Sequence, residues 1–156
     1  MKGSLSLDLL FSILTLLIFA PLFISFADLQ MENSAEAAVA HHAEIVAMRT
    51  GSSFNHFYAI GPSQGATARL SPIDRSMDWF AGVTVNNTDV SDADCEIYFR
   101  DGFINATISY YNVALARDRT VTALYPVALA VEAGPFNCTS AITFKNNTSG
   151  TIEVTA

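Results

Sequence analysis

Between Leu9 and Ala27, 15 of 19 residues are apolar, the exceptions being Ser12, Thr15, Pro21 and Ser25. A hydrocarbon core about 30 Å thick takes roughly 20 such residues as a helix, so this run is long enough to span it. Lys2 and the amino terminus precede the run, and Asp28, Glu32 and Glu36 follow it. The positive-inside preference then places the start of the chain in the cytoplasm and everything after Ala27 outside. Charge follows the same division, because residues 1–27 hold Lys2 and Asp8 alone while the whole chain has 8 Lys and Arg against 15 Asp and Glu. With 51% apolar residues and a net charge of −7, the chain is too hydrophobic for a disordered acidic tail. It also lacks the basic patch of a nucleic-acid binder, so no nucleic acid is expected as a partner.

Helix-forming composition continues beyond the apolar run. From Asp28 to Met48 there are six alanines and no Pro or Gly. Met31, Ala35, Ala38, His42 and Ile45 recur at steps of three and four, and Gly51 stands where a C-terminal cap is expected. The spacing predicts a single helix up to residue 50, broken or bent near Pro21.

After Gly51, short β-like runs alternate with turn residues, which predicts a head of about 100 residues built from antiparallel strands. Its clearest element is Cys95–Arg100, Asp101-Gly102 and Phe103–Ile108, read as a hairpin on a two-residue type I′ turn. In that register Cys95, Ile97, Phe99, Ile104, Ala106 and Ile108 share a dry face, and Glu96, Arg100, Asn105 and Thr107 a wet one. Further strands are expected at Phe54–Ile60, Trp79–Val85, Thr120–Val131 with Pro126 at an edge or bend, Thr139–Phe144 and Thr151–Thr155. The predicted class is therefore α+β: a long N-terminal hydrophobic helix followed by a small antiparallel, sandwich-like β domain.

Two features agree with an outside location. Five N-x-S/T sequons occur, at Asn86, Asn105, Asn137, Asn146 and Asn147, more than chance pairing of 9 Asn with 27 Ser and Thr would give. The two cysteines, Cys95 and Cys138, could form one disulfide across a 44-residue loop, free buried thiols being the alternative.

Catalytic patterns are weak. Gly61-Pro62-Ser63-Gln64-Gly65 matches G-x-S-x-G, but a nucleophile elbow needs a later histidine and His41, His42 and His56 all come earlier. His41-His42-x-Glu44 suggests a metal only superficially, because adjacent helical residues point about 100° apart. No cofactor, metal or enzymatic activity is expected.

The extreme N-terminus is more informative. In Lys2-Gly3-Ser4-Leu5-Ser6-Leu7-Asp8 a basic-glycine pair is followed by Ser, Ser and Asp at alternate positions and then the apolar run. This stretch resembles the class III signal peptide of archaeal type IV pilin-like proteins, cut after the glycine so that the mature chain begins Q-x-S-x-E. The resemblance covers about the first 20 residues. It implies cleavage between Gly3 and Ser4, with Ser4 in the glutamine place, Ser6 matching the serine and Asp8 in the glutamate place. The parts would then be a leader at 1–3, a helix at 4–50 with its membrane segment at about 9–27, and an extracytoplasmic head at 51–156. It further implies a prepilin peptidase and pilus assembly machinery as partners, the membrane before assembly, and then other copies of the chain in an adhesive surface filament. Asp8 fits that expectation physically: a carboxylate entering an apolar setting calls for a cation, and cleavage would create one on the α-amine of Ser4. The competing expectation is a secreted or membrane-anchored β module or adhesin, with Ser25-Phe26-Ala27 as a conventional small-x-small cleavage site or the leader kept as a tether.

Overall fold

The computed structural model describes residues 7–60, 66–73, 84–85, 88–89, 93–112, 117–147 and 151–156. The protein is α+β: one long helix, α1 (Leu7–Ala59), precedes strands arranged in antiparallel sheets. By contacts it divides into two compact units, residues 1–34 and 35–156.

In the first unit, α1 presents large apolar side chains in every direction. Leu9, Phe11, Leu16, Phe23 and Phe26 are each at least 50% exposed. The segment Leu9–Gln30 has a mean hydropathy of 2.5 and none of it is buried, so it is long and apolar enough to cross a membrane. Thr15 suits such a setting because its hydroxyl donates to the Phe11 carbonyl at 2.7 Å. Of the break or bend expected near Pro21, the break does not occur: Pro21 lies inside α1 without ending it.

The second unit contains the head. Its strands are β1 (Thr67–Leu70), β2 (Thr84–Val85), β3 (Thr88–Asp89), β4 (Asp94–Arg100), β5 (Phe103–Asn112), β6 (Arg117–Pro126), β7 (Ala133–Asn137), β8 (Ile142–Asn146) and β9 (Ile152–Thr155). They form a four-stranded sheet in the order β6-β5-β4-β7, a three-stranded sheet in the order β1-β8-β9, and the short β2-β3 pair.

The Asp-Gly hairpin is as expected. Asp101 and Gly102 have φ of 53° and 78°, the two left-handed residues a type I′ turn needs, and Arg100 pairs with Phe103. All six residues assigned to the dry face are buried. The second arm runs on to Asn112 and pairs along its whole length with β6, so Pro126 closes an edge strand where its missing N–H costs nothing. The expected strand at Thr120–Val131 ends at Pro126, those at Thr139–Phe144 and Thr151–Thr155 become β8 and β9, and Trp79–Val85 falls outside the described residues except for β2.

Two expectations at the end of the helix are overturned. Gly51 does not cap α1, and Phe54–Ile60 is not a strand, because the helix continues to Ala59. Val39, Ala43, Val46, Ala47, Thr50 and Phe54 recur at helical spacing and are all buried, so the last turns of α1 form one wall of the head's core. The head therefore begins within the helix and not after it.

Gly51 is there for proximity. A Cβ at this position would overlap the ring of Tyr125 on β6. One turn later Asn55 secures the same contact, donating from Nδ2 to the Pro126 carbonyl at 3.3 Å and accepting from the Ala128 amide at 2.8 Å. Gly51→Ala is accordingly expected to destabilise the head by about 1–3 kcal/mol through overpacking, although alanine in an open helix would stabilise by about 1 kcal/mol. Chemical denaturation checks this, and an unchanged or higher midpoint would contradict the packing argument.

The core is joined by an aromatic cluster. Phe54 of α1 lies 5.6 Å from Phe99 of β4 and 5.4 Å from Phe144 of β8, and Phe99 and Phe144 are 6.0 Å apart. Helix and both larger sheets thus meet in one triangle of rings, in the tilted and edge-on geometries that aromatic pairs favour.

Candidate functional site

Two surfaces stand out: the exposed apolar segment of α1 and the outer face of the four-stranded sheet. The latter follows from register, because directly opposed residues share a face. Across β6, β5 and β4 its rows run Pro126–Phe103–Arg100, Leu124–Asn105–Tyr98, Thr122–Thr107–Glu96 and Thr120–Ser109–Asp94. Asn137 of β7 extends the third row beside Glu96. Thr107 and Thr122 share a hydrogen bond at 3.2 Å, as do Ser109 and Thr120 at 3.3 Å. Three large apolar side chains remain open here: Phe103 (44% exposed), Tyr111 (51%) and Leu124 (63%). On β4 the Tyr98 hydroxyl donates to the Glu96 carboxylate at 2.5 Å. That bond, followed by partial burial and the negative charges of Glu96 and Asp94, raises the phenol above its ordinary pKa.

The structure joins Cys95 and Cys138 in a disulfide with Cα atoms 5.5 Å apart. The bond reinforces the pairing of β4 with the end of β7, where the Cys138 amide also donates to the Cys95 carbonyl at 3.0 Å.

The sequons have different surroundings. Asn105 is half-buried in the middle of the outer sheet face. Asn137 is exposed, and its Oδ1 accepts from the Thr139 amide at 2.9 Å and the Thr139 hydroxyl at 2.6 Å. Asn146 ends β8; it is 2% exposed, and its side-chain amide has no hydrogen-bond partner among the described residues. Asn147 follows, half-buried, with Nδ2 donating to Glu153 at 3.4 Å. Asn86, Gly3 and Ser4 fall outside the described residues, as does the side chain of Asp8, whose backbone lies in the first turn of α1.

The G-x-S-x-G segment at 61–65 is also outside the described residues. His41 and Glu44 approach to 3.9 Å on the exposed side of α1, whereas His42 uses Nδ1 to donate to the Ala38 carbonyl at 2.8 Å. The two histidines therefore diverge. Among the described residues no three His, Cys, Asp or Glu side chains are grouped to hold a metal. A cavity of about 560 Å³ lies between the end of α1 and β1 and β8, with Phe57, Leu70 and Phe144 among its lining and Ser52, His56 and Arg69 beside them.

Sequence reasoning did not identify Leu124 as a neighbour of Asn105. The pairing of β5 with β6 supplies that information, and its signal was the run of alternating residues from Thr120 to Leu124.

Comparison with protein-family models, with curated proteins and with solved structures finds no match to this chain.

Proposed function

We propose that this protein is a structural subunit of an extracellular filament of the archaeal type IV pilus kind, serving surface adhesion. The subunit is held in the membrane by its N-terminal helix, trimmed after Gly3, and polymerised by packing those helices together. The observation that carries this reading is the fully unburied apolar segment Leu9–Gln30, an unsatisfied surface that either lipid or like segments of sister molecules can cover. Assembly exchanges the first for the second and requires no chemistry from the subunit itself.

Within the filament, Asp8 of one subunit pairs with the liberated amine of Ser4 on a neighbour. Such a charge in an apolar bundle is stabilised only when paired. Sequencing the mature amino terminus from native cells tests the processing step: Ser4 is expected, and Asp28 or Met1 would overturn it. Asp8→Ala is expected to leave the amount of membrane-inserted subunit unchanged and to abolish filaments. Normal filaments from that variant would refute the pairing.

A further inference from the structure

The outer face of the four-stranded sheet leaves Phe103, Leu124 and Tyr111 in the open around a band of hydroxyls. Its charged residues, Asp94, Glu96 and Arg100 on β4 and Asp118 on β6, flank β5, whose own outward residues Phe103, Asn105, Thr107, Ser109 and Tyr111 are uncharged. Two sequons share this face: Asn105 at its middle, between Tyr98 and Leu124, and Asn137 at the β7 edge. Phe103 stands two residues before Asn105 on the same strand and face, about 7 Å along it. Asn105 is half-buried, and its Oδ1 is enclosed without a hydrogen-bond partner among the described residues.

We infer that this sheet face is a packing surface for the protein's own N-linked glycans, with the first sugar on Asn105 seated against Phe103 and Leu124 and a second glycan on Asn137 covering the β7 side. A pyranose has apolar C–H faces and a rim of hydroxyls. The first suit an aromatic ring and a leucine side chain, and the second suit the Thr and Ser hydroxyls, each of which keeps hydrogen-bonding capacity beyond its partner across the strands. Attachment at the middle of the face makes the contact intramolecular, so the ordering cost is low. In the modification, Nδ2 of Asn105 attacks the anomeric carbon of a lipid-phosphate-linked oligosaccharide. The C–N bond forms as the C–O bond to phosphate breaks, the lipid phosphate leaves with the electron pair, and the amide gives up one proton to a base of the transferring enzyme. The structure separates the acceptors, since the amide of Asn146 is enclosed in the folded head.

The inference rests on the head's placement outside the membrane, not on filament assembly. Its test is peptide mapping of the protein isolated from its own cells, followed by a double-mutant cycle on thermal unfolding. Asn105 is expected to carry a glycan. Phe103→Ala keeps the sequon and is expected to lower the melting temperature by about 4 °C in the glycosylated protein, with little change in the Asn105→Gln background. A glycan on Asn147 but not on Asn105, or equal effects of Phe103→Ala in both backgrounds, would overturn the packing surface while leaving the outside placement intact. Sugar at no sequon would overturn the packing surface and count against glycosylation of the head altogether.

Discussion

Phe54→Ala is expected to destabilise the head by about 3–5 kcal/mol, the usual cost of emptying a buried phenylalanine site. Phe54 is completely buried and touches the core from the helix side, meeting Phe99 at 5.6 Å and Phe144 at 5.4 Å. Its neighbours belong to two different sheets that are paired along their own strands, so the site cannot collapse without shifting one sheet against the other. That resistance places the loss toward the upper part of the range. Denaturant titration of the purified protein gives the value, and a loss below about 1 kcal/mol, typical of a surface substitution, would mean that the aromatic triangle does not hold helix and sheets together.

The second large effect belongs to the disulfide. Cys95→Ala with Cys138→Ala is expected to lower stability by about 4 kcal/mol, the loop-closure contribution for a bond spanning this length of chain. Both cysteines are buried, at 4% and 0% exposure, so alanine leaves small apolar gaps and no stranded polar group. Reduction of the unmodified protein should reproduce most of the loss, and unfolding curves of the oxidised, reduced and substituted proteins make the comparison. Equal stability in all three would show that the β4–β7 pairing needs no covalent support.

These predictions draw on features of unequal visibility in the sequence. The hairpin at Asp101-Gly102 was legible because two consecutive left-handed residues are a local demand that this dipeptide meets, and the alternating pattern then fixed which side chains are buried. The extent of α1 was not legible. Gly51 reads as a helix stop on local grounds, and its actual role is set by Tyr125, far along the chain. Phe54 and Phe57 read locally as part of a strand, yet they are helical, a spacing that carries both rings to Phe144. β7 was missed for a related reason. Gly134 and Pro135 punctuate it as a turn would, yet Gly134, at φ 116°, lies so close to the Ile97 carbonyl that a side chain would not fit beside β4. Of the candidate sites, the sequons could be found by inspection, but only the pairing of β5 with β6 brings the exposed Leu124 beside Asn105.

The three-stranded sheet has a consequence in time. β8 lies at its centre, pairing on one side with β1 and on the other with β9. Residues 67–70 therefore wait without a neighbour until residues 142–146 have been delivered, and β8 in turn waits for residues 152–155. In a head exported amino end first, as the proposed function requires, this sheet stays open until almost the whole of it has crossed. The Asn146 side chain is enclosed in the folded head, so any enzyme that acts on it must do so before the head has closed.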